Sequence, residues 1–288
     1  MRLPPRRYQA MGAAIVAGAV TARYVAKWRR RRLRRLGEQR DNETGINKAY
    51  VGVSFVDTPL GPKTSCSIAT LDNQLRCHFS TWDLREDGLG ILPNSALGKP
   101  FLLAIAGPQG LAAEVNSVAR ECEQKTHSSL KTPYSVDGLN TTEATLCKSS
   151  IALYHNLVSS GARFRLLGLN DTSVGESNLI EVCPEIAWRS TARAPLAARN
   201  SLEGRRMRAE VLQNAGVDFI SGPLITEAQL DSAICAWTAL CLDKGKVHLI
   251  GKAPFEIPEQ KVFREGFMIQ PDIDAISSEL DSASFAPV

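Results

Sequence analysis

The run Phe101-Leu-Leu-Ala-Ile-Ala106 is apolar at every position and closes on Gly107-Pro108. A strand with one wet face alternates apolar and polar residues; one with no alternation must be covered on both faces. This stretch therefore requires a sheet with helices packed against each side. The residues before it supply the start of such a sheet. Ala49–Phe55 carries the β-branched and aromatic residues of a strand, and Thr64–Leu71 and Leu75–Trp82 are two more around the turn pair Asp72-Asn73. Strands joined so tightly pair antiparallel, as a meander.

After the apolar run, the pattern predicts helices over Leu111–Gln124, Ala144–Ser159, Pro184–Arg189 and Ser201–Asn214. Strands are expected at Arg163–Leu169, Asn178–Val182, Val247–Ile250 and Arg264–Gln270. The longest helix is read over Leu224–Lys246. Thr226 and Gln229 have the spacing of a capping box, Leu230, Ile234, Trp237 and Cys241 form an apolar stripe, and Lys244-Gly245 is a stop. Asp231 fits that helix badly, because it lies in line with Cys235, Thr238 and Leu242; taken alone it reads as a solvated or dipole-facing carboxylate. A meander followed by alternating strands and helices is an α/β architecture with a mixed sheet.

Charge divides the chain. Residues 1–40 hold 12 Lys and Arg against Glu38 alone, a net of +11, while the rest hold 22 basic and 29 acidic residues, a net of −7. A nucleic-acid binder normally carries its positive footprint on the folded body. Here any such binding falls to a local patch, the basic arm or bound cations. The stretch Met11–Ala22 is apolar but too short to span a bilayer, which takes roughly 20 residues. Beyond it stands Arg29-Arg-Arg-Arg-Leu-Arg-Arg35. An organellar transit peptide, a marginal membrane anchor with a basic flank, and a nuclear-import or RNA-binding run all fit this leader. A mitochondrial destination is favoured, with membrane-anchored, nuclear and cytoplasmic ones as alternatives. Secretion is opposed by the positive block behind the apolar segment.

Seven scattered cysteines without a C-x-x-C pair, and four histidines without ligand spacing, argue against zinc and for reduced, packed thiols. The chain also lacks a P-loop, a G-x-S-x-G elbow and a G-x-G-x-x-G turn. The expected organisation is a basic leader over 1–40, a linker over 41–47, one α/β domain over 48–272 with a helical insertion near 109–160, and an acidic tail over 273–288.

Four blocks carry a family resemblance. Leu179-Ile-Glu-Val-Cys-Pro-Glu-Ile-Ala-Trp188 resembles an "EvyP" block, and Gly204-Arg-Arg-Met-Arg208 a G-x-x-x-R block. Leu230-Asp-Ser-Ala-Ile-Cys-Ala-Trp-Thr-Ala239 is similar to "LDAlvaAlTA", and Glu265-Gly-Phe-Met-Ile-Gln-Pro271 to "EGwi..P". In this order and spacing they resemble domain-of-unknown-function family 429, whose members are described as predicted nucleases of ribonuclease-H-like fold. The N-terminal half matches more loosely, Val51-Gly-Val-Ser54 against "GiD" and Ile105-Ala-Gly-Pro108 against "IDxP".

The resemblance implies a five-stranded mixed sheet and a carboxylate cluster holding Mg²⁺ or Mn²⁺, which would activate water and stabilise phosphodiester attack. Glu181 and Asp231 are the acids it assigns, and Asp57, three residues past Ser54, is the further candidate if it bends back into the site. Ser54 and Ala106 stand where two further acids are expected, so the site reads as degraded. Glu181 otherwise reads as a strand-end residue paired to Arg189 or Arg208. Arg205 and Arg208 are candidate phosphate contacts, or else helix-surface partners of Glu203 and Glu210. Three functions remain open: a binding or scaffolding member with little or no catalysis, a metal-dependent nuclease working through Glu181, Asp231 and Asp57, and a structural subunit held by residues 1–40 in an organellar or membrane assembly. Nucleic acid is a possible partner, and no small-molecule substrate is expected.

Overall fold

The computed structural model of the protein describes residues 47–56, 65–83, 92–161, 163–220, 225–272 and 274. The leader over 1–40, most of the linker, Asp57, and the tail but for Asp274 lie outside them. The strands are β1 (Ala49–Val56), β2 (Ser65–Leu71), β3 (Arg76–Asp83), β4 (Phe101–Ala106), β5 (Gly110–Leu111), β6 (Leu179–Val182), β7 (Asp218–Phe219), β8 (Val247–Ile257) and β9 (Val262–Pro271). The α-helices are α1 (Glu121–Thr126), α2 (Thr141–Ser159), α3 (Pro184–Thr191), α4 (Leu202–Asn214) and α5 (Glu227–Asp243).

These strands form one mixed sheet in the order β5-β9-β6-β4-β1-β2-β3-β7, with β8 paired to β9. The meander β1-β2-β3 is antiparallel, while β4 runs parallel to β1 and β6 parallel to β4. The resemblance implies five strands and the sequence pattern eight; the described residues make nine. Beyond the five come two-residue strands and the β8–β9 hairpin, both of whose strands run longer than the pattern indicates; Pro254 falls at the register shift between Lys252 and Phe255. A proline is tolerated in a strand at such a bulge because no ladder bond is asked of it.

Apolar residues fill both faces of β4. Leu102, Ala104 and Ala106 pack with α5, and Leu103 and Ile105 with Leu153, Tyr154 and Leu157 of α2. The helix α5 starts where its capping box places it: Thr226 accepts from the Gln229 amide at 3.2 Å, and Gln229 answers the Thr226 amide at 2.8 Å. Gly245 adopts a left-handed φ of 67° beyond the last turn. Its core is buried on every side, from Leu230 to Leu242 without interruption, rather than along one stripe. The sheet covers one side of it, and α3 and α4 cover the other. Contact with β1 is close enough that a Cβ on Gly52 would lie 1.9 Å from the Ser232 carbonyl oxygen.

Two expected elements give way to tertiary contacts. Leu111–Gln124 has helical spacing, yet only Glu121–Thr126 is helical. Ahead of it the backbone is held elsewhere: β5 pairs with β9, Ala112 accepts from Arg264 at 2.7 Å, and Ala113 and Glu121 donate to the Glu265 carboxylate at 3.1 Å. The Arg163–Leu169 segment makes a single bridge, Leu166 to Leu179, before Gly168, Asn170 and Asp171 turn it through positive φ. All seven cysteines are free and six are buried. Burial pushes the Cys66 and Cys241 thiols up to about 12, far from reactive thiolates.

Candidate functional site

Parallel sheets present ligand sites beyond the carboxyl ends of their strands. Here β1, β4 and β6 end together: Ser54 lies opposite Ala106, and Ala106 opposite Val182. A cleft of about 870 Å³ opens at these ends, lined by Ser54, Ala106, Glu181 and Asp231. Arg120, Arg189, Arg193, Arg199 and Arg208 line it too. Glu181 is in register with Ile105, one residue out of phase with Ala106, so its side chain leaves the sheet on the α2 side. Asp231 comes from α5 on the other side. The two carboxylates thus reach one cleft from opposite faces.

Each already holds a guanidinium. Arg120 donates to Glu181 twice, Nη1 to Oε2 at 2.7 Å and Nη2 to Oε1 at 2.6 Å, while the Gln109 amide donates to Oε2 at 2.9 Å. The same arginine donates from Nε to Glu123 at 2.9 Å, and Glu123 also accepts from the Thr132 amide at 2.7 Å and hydroxyl at 2.5 Å. With Arg120 and Glu123 each 1% exposed and Glu181 2%, this is a desolvated carboxylate–guanidinium–carboxylate triad. Burial works against the charge of Arg120, but the field and hydrogen bonds of Glu181, with Glu123, hold its pKa well above the ordinary arginine value.

Asp231 is 1% exposed. It accepts from the Trp188 indole Nε1 at 3.0 Å and pairs with Arg199, which reaches Glu227 as well. Desolvation raises the Asp231 pKa despite the counter-effects of Arg199 and Trp188. A raised folded pKa means that the native state holds the proton longer, so the linked stability is present below the ordinary aspartate range and is lost as pH rises through the elevated value. Asp231→Asn keeps an acceptor for Trp188 and removes the charge. Its stability near neutral pH is expected to equal or exceed the parent's, with a flatter slope through mildly acidic pH, as read by urea unfolding. A marked loss at neutral pH would show that the ion pair with Arg199 outweighs desolvation.

The G-x-x-x-R block has a structural account. A Cβ on Gly204 would lie 1.9 Å from the Ala198 carbonyl oxygen, so only glycine lets α4 approach that loop. One turn on, Arg208 donates from Nη1 to Ala197 and Gly204 carbonyls at 3.0 Å each and lies over the Trp188 ring at 5.9 Å. Arg208 lines the cleft; Arg205 does not, and instead donates to the Asn200 carbonyl at 3.1 Å. The partner sequence reading gives Arg208, a glutamate on the helix surface, is replaced by carbonyls. Arg206 is the residue that pairs with Glu210.

Divalent magnesium or manganese needs several oxygen donors converging without a competing cation. The described residues do not fit such an ion. No group of three His, Cys, Asp or Glu among them is placed to hold one, and arginine occupies both assigned carboxylates. Asp57 lies outside the described residues. Sequence reasoning missed Arg120, Glu123, Arg199 and Trp188. The only local signal was the three-residue spacing of Arg120 and Glu123, since their other partners lie far along the chain.

Compared with known proteins, residues 54–255 match the family described as "Protein of unknown function (DUF429)". No curated protein matches, and no solved structure does.

Proposed function

With more than half of its length inside that match, the chain belongs to the DUF429 family, and we propose that it is a metal-independent binding or scaffolding member of ribonuclease-H-like fold. Phosphodiester hydrolysis is weak or absent in this reading. One observation carries it: the acids assigned to metal, Glu181 and Asp231, are each paired with an arginine, buried Arg120 and half-exposed Arg199. The antiparallel meander before β4 agrees with the proposed fold, and Ser54 and Ala106 bring no ionisable group to the strand ends.

The test is metal linkage. Millimolar Mn²⁺ or Mg²⁺ is expected to leave the Tm unmoved and to elicit no cleavage of single- or double-stranded substrates, because linkage vanishes when Kd exceeds the ion concentration. Ser54→Asp with Ala106→Asp puts two carboxylates side by side in the cleft; its expected phenotype is a lower Tm that Mn²⁺ restores. A metal-dependent rise in the parent Tm, abolished by Asp231→Asn, would favour the active nuclease working through Glu181, Asp231 and Asp57.

The +11 leader favours a second, compatible reading, in which residues 1–40 hold the domain in an organellar or membrane assembly, with mitochondria the proposed compartment. Fused to a fluorescent reporter, residues 1–47 are expected to direct it to that organelle; a diffuse reporter would remove this reading. Nucleic-acid binding, if it occurs, is expected to follow the leader, with a steep salt dependence lost on deleting residues 1–40.

A further inference from the structure

Among the arginines that line the cleft, Arg208 is set apart by its partners. Its side chain is nine-tenths buried, its Nε is buried without any acceptor, and its hydrogen bonds go to two neutral carbonyls rather than to a carboxylate. Asp231 and Glu227 act on its charge only from a distance. A desolvated cation that no carboxylate contacts is costly, and an anion in direct contact with it relieves that cost. The other cleft arginines can assist. Arg189 pairs with Glu185 at 2.9 Å, but both side chains are about half exposed, and a surface pair of this kind is worth little and is readily exchanged. Arg199 is 54% exposed while it reaches both Asp231 and Glu227. Phe55, Pro108, Leu130, Pro195 and Leu196 give the same cleft an apolar wall.

We propose that this cleft binds a phosphorylated small molecule with an apolar or aromatic body, its phosphate held by Arg208 at the floor and by Arg189 and Arg199 at the rim. The inference rests on the metal-independent reading above and names its ligand class. Several guanidiniums lining one cleft suit a phosphate, whose oxygens accept from more than one fork. The volume is that of a site for one small ligand. The net charge of −7 outside residues 1–40 disfavours a long polyanion laid across the body.

The full chain is titrated in EDTA with inorganic phosphate, with a nucleoside 5′-monophosphate and with octanoate, following Tm and heat of binding. Saturable binding of the monophosphate is expected, with inorganic phosphate weaker because it lacks the body. Octanoate binding tighter than the monophosphate would overturn the phosphate assignment. Arg189→Glu is expected to weaken the monophosphate by about ten-fold. Arg208→Met is expected to abolish its binding. Arg206→Glu removes an equal charge from the exposed side of α4, paired with Glu210, and is expected to leave binding intact. Should Arg208→Met fail to fold, Arg189→Glu against Arg206→Glu still decides. Equal effects of those two, or no saturable binding by any probe, would overturn the proposal. Binding that EDTA removes and Mn²⁺ restores would overturn the metal-independent reading instead.

Discussion

Replacing Arg120 by methionine is expected to destabilise the fold by about 3–5 kcal/mol, the usual consequence of removing one partner from a buried ionic group. The reason is local. Methionine keeps the apolar stem but leaves Glu123 and Glu181, both nearly inaccessible to water, facing one another without the cation between them. Only the Thr132 and Gln109 donors and the Arg120 amide remain to hold two charges. Urea unfolding at neutral pH measures the loss. Adding Glu181→Gln to Arg120→Met removes one of the stranded charges and is expected to recover a large part of it, since coupled sites in one network do not add. An Arg120→Met protein within about 1 kcal/mol of the parent would mean that water or another cation reaches the triad, and that the site is open to metal after all.

Gly52→Ala is expected to cost at least about 3 kcal/mol, at or beyond the top of the usual range for overpacking. The added carbon would meet the Ser232 carbonyl oxygen at 1.9 Å and the Ala236 amide nitrogen at 2.5 Å. Both are main-chain atoms of a helix whose other side is already packed, so neither β1 nor α5 can retreat cheaply. The control is Gly175→Ala, where nothing lies within 4 Å and little change is expected. Thermal or urea unfolding of the pair compares crowding with the mere gain of a methyl group. Equal stability of the two variants would show that α5 can slide on the sheet.

What the sequence made legible depended on how local its cause was. The strand Phe101–Ala106 has the bounds expected of it, because continuous apolarity admits few alternatives to a doubly covered strand. The start of α5 was legible because its cap is built from residues three apart. By contrast, the pattern of Leu111–Gln124 is helical, but the hydrogen bonds that override it come from Arg264 and Glu265, more than 100 positions away in sequence. The site divides in the same way. Ser54, Ala106, Glu181 and Asp231 were singled out through motif blocks, and all four line the cleft. Their charge partners were not legible: Arg120 meets Glu181 across 61 positions, and Arg199 meets Asp231 across 32. Without those arginines, two carboxylates read as an incomplete metal site. With them they read as two ion pairs, one inside the fold and one at the cleft rim.

The seating of α5 on β1 also sets an order of events during synthesis. The atoms that meet at Gly52 and Ser232 are separated by about 180 positions, a long loop to close before the contact repays it. On the ribosome the meander emerges first, while the helix that roofs its inner face is among the last segments made. Until Glu227–Asp243 leaves the exit tunnel, Ala69, Leu71 and Ala104 have nothing to pack under, and the nascent sheet offers an oily surface to whatever is near. Such exposure invites self-association in slowly folding chains. A message truncated ahead of α5 would therefore yield clients for chaperones and proteases rather than a smaller working protein.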